Sequence, residues 1–480
     1  MSHPTAAVLT LILACTTPSG TFVSVARGDD VVNGPLTQQY REAAKRIVTA
    51  TLEGNDAYNK LEHLCVNIGH RLSGSAGLEK AIDWAVAAMK KDGQQNAHRE
   101  RVMVPHWVRG LESAAMVSPR YVPFHMLGLG GSVSTPAGGI TAPVIVVSDE
   151  DELNAVADQV PGKIVLFNKV MPPYDPEHGA GYGATVRYRT QGARLAAQKG
   201  AVASLMRSVT ANSLRTPHTG AMRYGDAERK IPHAAISVED AELLARLQAR
   251  GVTPVVNLRM SAKTLPDAVS GNAIAELRGR ELPDEIIVIG GHIDSWDVGH
   301  GAHDDGAGCV MAMEAINVLR KLNMIPRRTI RVVLWTNEEN GLRGGRAYAK
   351  DHENELENHI AAIESDSGAF APRGYGLSCT DKDREAVAVR QMKEILSLIP
   401  DSISGLDAKT GGGGADISAM RGAGVVLIGH RVEGSTYFDY HHTPADTIDK
   451  IDPDLLSQNV AVLATVAYIL ADMPERLGTE

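Results

Sequence analysis

One stretch constrains this chain more than any other: Glu285-Ile-Ile-Val-Ile-Gly-Gly-His-Ile-Asp-Ser-Trp-Asp-Val-Gly-His-Gly-Ala-His-Asp-Asp-Gly-Ala-Gly308. The apolar run 286–289 has the length and β-branching of a buried strand. Two glycines follow, then His292 and Asp294 where that strand should end. A glycine-rich turn leads to Asp304 and Asp305. Beyond Gly308 the apolar residues Met313, Ile316 and Leu319 recur at helical spacing. In α/β sheets of this kind, ligands bind at the carboxyl ends of strands. Imidazole and carboxylate together suit a borderline cation such as zinc. A solvated polar turn has the same composition, so the rest of the chain must decide.

From Gly271 onward strands and helices alternate. Residues 273–277 read as an edge strand and 286–289 as a central one. Residues 329–335, 360–363 and 425–428 are the next strands, ending at Glu338-Glu339, Asp366 and Gly429-His430 respectively. The last helix starts with an Asp452 cap and Pro453 at its first position, and runs to about Asp472. This alternation predicts an α/β fold with a mixed, largely parallel sheet between helices. Ahead of it, residues 35–93 read as helical, and 102–104 as a short strand ended by Pro105. From 118 to 262 the texture changes to short strands rich in glycine and proline, with helices at 190–199 and 238–250. No cluster of His, Asp and Glu in this region has ligand spacing, so it reads as a noncatalytic β-rich domain inserted into the catalytic one. Its loop His178-Gly-Ala-Gly-Tyr-Gly-Ala184 lacks the spacing of a phosphate-binding loop. The expected divisions are a leader at 1–26, the first part of the catalytic domain at 35–117, the insert at 118–262, and the rest of the catalytic domain at 263–480.

Composition closes off other classes. With 480 residues and a net charge of −9 and no basic tract, the chain has no nucleic-acid signature. The apolar run 6–15 followed by Ser24-Val25-Ala26 resembles an export signal, and Cys15 is a candidate lipid anchor. The chain is therefore expected to be exported. That run is too short to cross a bilayer, and no later run is expected to do so. Cys15, Cys65, Cys309 and Cys379 have no CxxC spacing and make no disulfide framework; buried free thiols are expected.

Because the polar residues fall at the ends of successive strands, folding can gather His292, Asp304, Glu338, Glu339, Asp366 and a C-terminal histidine in one crevice. Adjacent carboxylates at Glu338-Glu339 repel unless cations separate their roles, one binding metal and the other staying free as a base. Ser295 and Ser367 lie near the same strand ends, but neither sits in a Gly-x-Ser-x-Gly elbow. The glycine run 411–414 reads equally as a recognition loop or a mobile linker. The run 437–440 reads equally as pocket lining or packing.

Taken in order, His292-Ile-Asp294, Gly301-Ala-His-Asp-Asp-Gly-Ala-Gly308, Asn337-Glu-Glu-Asn-Gly341, Glu364-Ser-Asp366 and His441-His-Thr-Pro-Ala-Asp-Thr447 resemble the co-catalytic zinc aminopeptidase and glutamate carboxypeptidase family. Arg71-Leu-Ser-Gly74 and Val104-Pro-His-Trp-Val-Arg-Gly110 look like its plasma glutamate carboxypeptidase subfamily, and the insert resembles a protease-associated domain. The resemblance implies two Zn2+ per chain. His292 would bind one ion, Asp304 would bridge both, and Glu339 and Asp366 would each complete one site. The final ligand would be His442, with His441 beside it as the alternative. Asp294 would accept a hydrogen bond from His292 and fix its tautomer, and Glu338 would be the general base. His303 stands where some relatives have an acidic residue. Tyr440 is displaced by one place from the tyrosine of some relatives, which leaves open which tyrosine stabilises an oxyanion.

Two metals about 3.5–4 Å apart can share one water, lower its pKa and polarise a carbonyl. The expected activity is hydrolysis of dipeptides or of a terminal residue of short peptides by a metal-bridging hydroxide, in a homodimer. The alternatives are an aminopeptidase on longer peptides, an N-acyl amino acid hydrolase, or a receptor-like ectodomain that has the fold without activity. The last requires missing ligands, and here each ligand position is filled.

Overall fold

The computed structural model describes residues 34–212 and 214–479. The expected leader, the Ser24-Val25-Ala26 cut and Cys15 lie outside these residues. Two eight-stranded sheets organise the chain. The first contains β1 (Gln95–Val108), β2 (Lys263–Leu277), β3 (Leu282–His292), β4 (Arg328–Trp335), β5 (His359–Glu364), β6 (Pro372–Ser378), β7 (Asp407–Thr410) and β8 (Val426–Val432). Their spatial order is β1-β2-β4-β3-β5-β8-β6-β7. The central strands β4, β3, β5 and β8 run parallel. The flanking pairs β1–β2, β2–β4 and β6–β8 are antiparallel, so the sheet is mixed with a parallel centre.

Strand β3 shows why the centre is parallel. Its side chains alternate between two cores, as a strand covered on both faces must. Ile287 and Ile289 pack with the helices α1 (Pro35–Glu53), α2 (Ala76–Lys91), α3 (Ala307–Lys321) and α4 (Pro453–Asp472). Ile286 and Val288 face a second cluster with Val333, Trp335, Tyr348 and Leu427. Each such side chain, fully buried, contributes roughly 1.5–3 kcal/mol. By length and composition α4 is apolar enough to cross a membrane, contrary to expectation, but 72% of its apolar window is buried inside the fold. It is a core helix, capped by the Asp452 side chain on the amides of Asp454 and Leu455.

Three strand expectations need correcting. Residues 273–277 are not an edge, because β1 covers β2. The strand expected at 102–104 is part of a 14-residue one that passes through Pro105. Pro105 sits at a register shift between Val104 and His106, on the outermost strand, so its missing N–H disrupts no inner ladder. Finally, β8 runs on to Val432 and takes Gly429 and His430 inside the strand.

The second sheet is formed by residues 112–260, from the strand Glu112–Ser118 to the strand Val255–Met260. Its strands Ile140–Val147, Ile164–Phe167, Ala203–Arg207 and His233–Ile236 are parallel neighbours, with helices Val186–Gln198 and Val238–Ala249 among them. Separate apolar clusters serve this sheet. Cys65, Cys309 and Cys379 are buried and unbridged.

Candidate active site

Parallel register carries the polar residues to one edge. His292 ends β3 opposite Trp335 of β4, and Gly290 lies opposite Glu364 of β5. Asp294, Glu338, Glu339 and Asp366 therefore leave the sheet side by side. The Asp304 turn folds back over this edge just before α3. Its approach is too close for side chains: a Cβ on Gly291 would fall 2.2 Å from Asp305 Oδ2, and one on Gly308 would fall 1.9 Å from the Ser365 carbonyl.

Three side chains hold the turn. Asp305 accepts from the amides of His292 (2.9 Å) and Gly308 (3.1 Å). Asp446 accepts from the amides of His303 (2.8 Å) and Asp304 (3.1 Å). The buried guanidinium of Arg71 donates to the carbonyls of Ile293, Gly69, His300 and Gly301. Sequence reasoning assigned none of these three a role. Each occurs inside or beside one of the sequence motifs, but most of their partners are distant main-chain groups.

The expected ligands converge. His292 Nε2 lies 3.2 Å from Asp304 Oδ1 and 3.5 Å from Asp366 Oδ1. His442 Nε2 lies 3.3 Å from Asp304 Oδ2 and 3.0 Å from Glu339 Oε2. His441 Nε2 is further away, 3.9 Å from Asp304 Oδ2, and its ring stacks on that of His442 at 3.5 Å. Donor atoms thus gather in two groups, one of His292, Asp304 and Asp366 and one of Asp304, His441 and His442, with Asp304 common to both.

The tautomers suit cation binding. His292 Nδ1 faces the Asp294 carbonyl at 3.0 Å, and His442 Nδ1 faces the Thr219 carbonyl at 3.2 Å. Each Nδ1 therefore carries a proton, and each Nε2 faces the carboxylates, where a bound cation would take its lone pair. The Asp294 carboxylate is 3.7 Å from His292 Nδ1, so the expected carboxylate contact is replaced by the backbone carbonyl. The Asp294 carboxylate instead accepts from the amides of Glu338 (3.0 Å) and Glu339 (3.3 Å), which aims the glutamate pair.

Electrostatics mark the same point. Burial pushes the carboxyls of Asp304 and Glu339 above their usual range and lifts Glu338 to about 8. Burial pushes His442 and His441 down. Burial also opposes charge on His292, but Asp366 and Asp304 outweigh it and hold that imidazole above its ordinary value. Asp304 Oδ2 and Glu339 Oε1 are buried without a hydrogen-bond partner. Buried, crowded and partly unpartnered carboxylates beside imidazole lone pairs fit divalent cations.

A cavity of about 510 Å3 opens over these residues. Glu338, Tyr437 and Phe438 line it, and the second sheet's region contributes Tyr182, Arg189 and Met222. Tyr440 is turned away and stacks toward His303 at 5.7 Å, while His303 stacks on Phe370 at 4.3 Å. The glycine run 411–414 does not line the cavity; Gly412 packs against Gly376 and Gly414 against Glu364. Ser295 bonds to the Arg71 amide and the Trp296 carbonyl, which rules it out as a poised nucleophile.

Residues 272–467 match the model of peptidase family M28. Carboxypeptidase Q of Mus musculus is 43% identical over 441 residues, covering 91% of this chain and 91% of the mouse protein. The chain belongs to peptidase family M28. Carboxypeptidase Q of Homo sapiens is 42% identical to this M28 peptidase over 91% of it and 90% of the human protein. A peptidase M28 precursor from Shewanella amazonensis superposes with a TM-score of 0.86 at 38% identity, covering 92% and 98% of the two chains. A zinc aminopeptidase from Bacillus subtilis shares the fold, with a TM-score of 0.64 at 22% identity over 88% and 96%.

Proposed function

We propose that this M28 zinc metallopeptidase is an exopeptidase that binds two zinc ions and releases a terminal residue from dipeptides or short peptides. The observation that carries this reading is the pair of donor groups sharing Asp304, one completed by His292 and Asp366 and the other by His441 and His442. Glu339 lies 3.0 Å from His442 Nε2 and belongs with that second group. When bound, the ions would lower the pKa of a water and polarise the scissile carbonyl. Glu338, half-buried in the cavity wall, takes the proton from the attacking water and returns it to the leaving amine. Asp294 fixes its main chain by accepting from the Glu338 amide. The kinship with carboxypeptidase Q favours release of a terminal residue over cleavage within a chain. Residues 118–262 read as a protease-associated insert, the N-terminal segment as an export signal, and the assembly as a homodimer.

Dipeptide hydrolysis by the wild-type protein and by Glu338→Ala, with the metal content of both, tests the reading. Wild type should hold two zinc ions per chain and lose turnover with a chelator. Glu338→Ala should keep its zinc and lose at least about 100-fold in kcat, the lower range for a general base. Turnover that survives chelation, or an undiminished Glu338→Ala variant, would defeat the proposal.

A further inference from the structure

One end of the catalytic cavity is lined by polar groups that the proposed reaction does not use: Asn340, His106 and Thr264. Asn340 directly follows the glutamate pair and is half-buried. A chain of hydrogen bonds that begins at the main chain sets the orientation of its side-chain amide. The Arg343 amide donates to the buried Asn337 side chain at 3.3 Å, and a main-chain N–H can only donate. The Asn337 atom it meets is therefore Oδ1. Asn337 Nδ2 then donates to Ser73 Oγ at 2.9 Å and to the Asn340 side chain. Asn340 must meet that donor with its oxygen, which leaves its two N–H groups for the cavity. Among the described residues those N–H groups have no hydrogen-bond partner.

His106 and Thr264 belong to the same end. A Cβ on Gly74 would fall 2.7 Å from His106 Cγ, so the imidazole lies over the residue next to Ser73, which anchors Asn337. Thr264 of β2 stands opposite Trp107, the neighbour of His106 on β1. The His106 ring nitrogens and the Thr264 hydroxyl also have no hydrogen-bond partner among the described residues. A neutral imidazole and a hydroxyl each offer a donor and an acceptor.

We propose that this end is a subsite for a side-chain amide, so that the enzyme favours asparagine or glutamine at one of the two residues flanking the bond cut. This rests on the exopeptidase reading and names the side chain that the site selects. The oxygen of such an amide matches the Asn340 N–H groups, and its NH2 matches the acceptors of His106 and Thr264. Leucine has nearly the shape of asparagine but would cover these groups without pairing them, and polar groups left unpaired are costly. Aspartate has that shape too, but it offers no donor and adds a negative charge beside Glu338. Elsewhere the cavity wall is aromatic, with Tyr182 stacked on Phe438 at 5.0 Å, so the preference is expected on one side of the cut only.

The test measures kcat/KM for dipeptides of alanine with asparagine, glutamine, leucine or aspartate, each in both orders. Wild type, Asn340→Leu and His106→Phe are compared, with zinc content measured for each. In one order, wild type should favour an amide over both leucine and aspartate by at least about tenfold, within the range for a polar group left unpaired. In Asn340→Leu the ratio of amide to leucine should fall to near one. In His106→Phe, whose ring can still cover Gly74, the ratio should fall in part. Equal losses on every dipeptide with the ratio kept, or loss of zinc, would make Asn340 a support for the Asn337 turn and overturn the subsite. A wild type that cuts amide and leucine dipeptides alike, prefers aspartate, or shows the same preference in both orders would also overturn it and leave the exopeptidase intact. Turnover of none of the dipeptides would defeat the exopeptidase reading and the subsite with it.

Discussion

At the residue scale, the site depends on side chains that touch no substrate. Asp446 is buried, and both of its oxygens serve amides of the Asp304 turn, at His303 and at Asp304 itself. Asp446→Ala would leave two buried N–H groups unpaired, each costing about 1–3 kcal/mol. It would also free Asp304 to move. Zinc affinity should fall by about 10–100-fold, as for lost outer-shell contacts elsewhere. Competition with a chelator measures the affinity, and unchanged binding in a folded variant would refute the role. Sequence reading reached the donors, because imidazole and carboxylate announce themselves by type and order. Between His441 and His442 it preferred the second, and the fold sets their Nε2 atoms 3.9 Å and 3.3 Å from Asp304 Oδ2. It did not reach Asp446 or Arg71, since a side chain that binds distant main-chain groups leaves no pairwise signal. For Asp294 it named the right residue to meet His292 but the wrong group: the carbonyl serves His292, while the carboxylate orients Glu338 and Glu339.

At the scale of elements, the strand–turn–helix unit from β3 to α3 works because it has no side chain where it doubles back. A methyl group on Gly308 would strike the Ser365 carbonyl, which is main chain and cannot rotate away. Gly308→Ala should therefore destabilise by at least the roughly 1–3 kcal/mol of ordinary overpacking. Gly422→Ala meets nothing within 4 Å and should be neutral or slightly stabilising. Urea denaturation of the pair separates crowding from a general intolerance of substitution; similar midpoints for both would refute the packing account. Apolar period located β4, β5 and α4 to within a residue or two, because each is largely buried, but it found only the buried inner part of β3, whose first four residues are not buried. Helix Lys382–Leu396 was overlooked, although Asp381 caps it and Ala388, Met392 and Ile395 recur at helical spacing. The place of β2 inside the sheet, and the run of β1 through Pro105, depend on which strand pairs with which. That information is tertiary, and no local period carries it.

At the scale of the whole molecule, the two sheets meet over the catalytic edge, and the region between β1 and β2 contributes to the site directly. The Thr219 carbonyl fixes the His442 tautomer, and Arg189 and Tyr182 complete the cavity. Stability of that region should couple to pH through His233. Burial there lowers the imidazole from 6.5 to about 4. Its Nε2 lies 3.1 Å from the Tyr188 carbonyl, and its Nδ1 has no partner. The folded protein keeps this histidine neutral, whereas the unfolded chain takes up a proton below about pH 6.5. Between those two values the unfolded state binds more protons, so stability falls as pH drops from about 6.5 to about 4 and levels off below. The full effect is on the order of 3 kcal/mol. Carboxyls that burial pushes upward, such as Asp446 at about 7, act with the opposite sign, so a single pH profile would mix the two. The difference between wild type and His233→Gln isolates the histidine. Unfolding free energies from urea titrations at pH 7 and pH 5 should show wild type losing more stability on acidification than the variant. Equal losses would mean that His233 does not titrate differently in the folded protein, and the coupling would be absent.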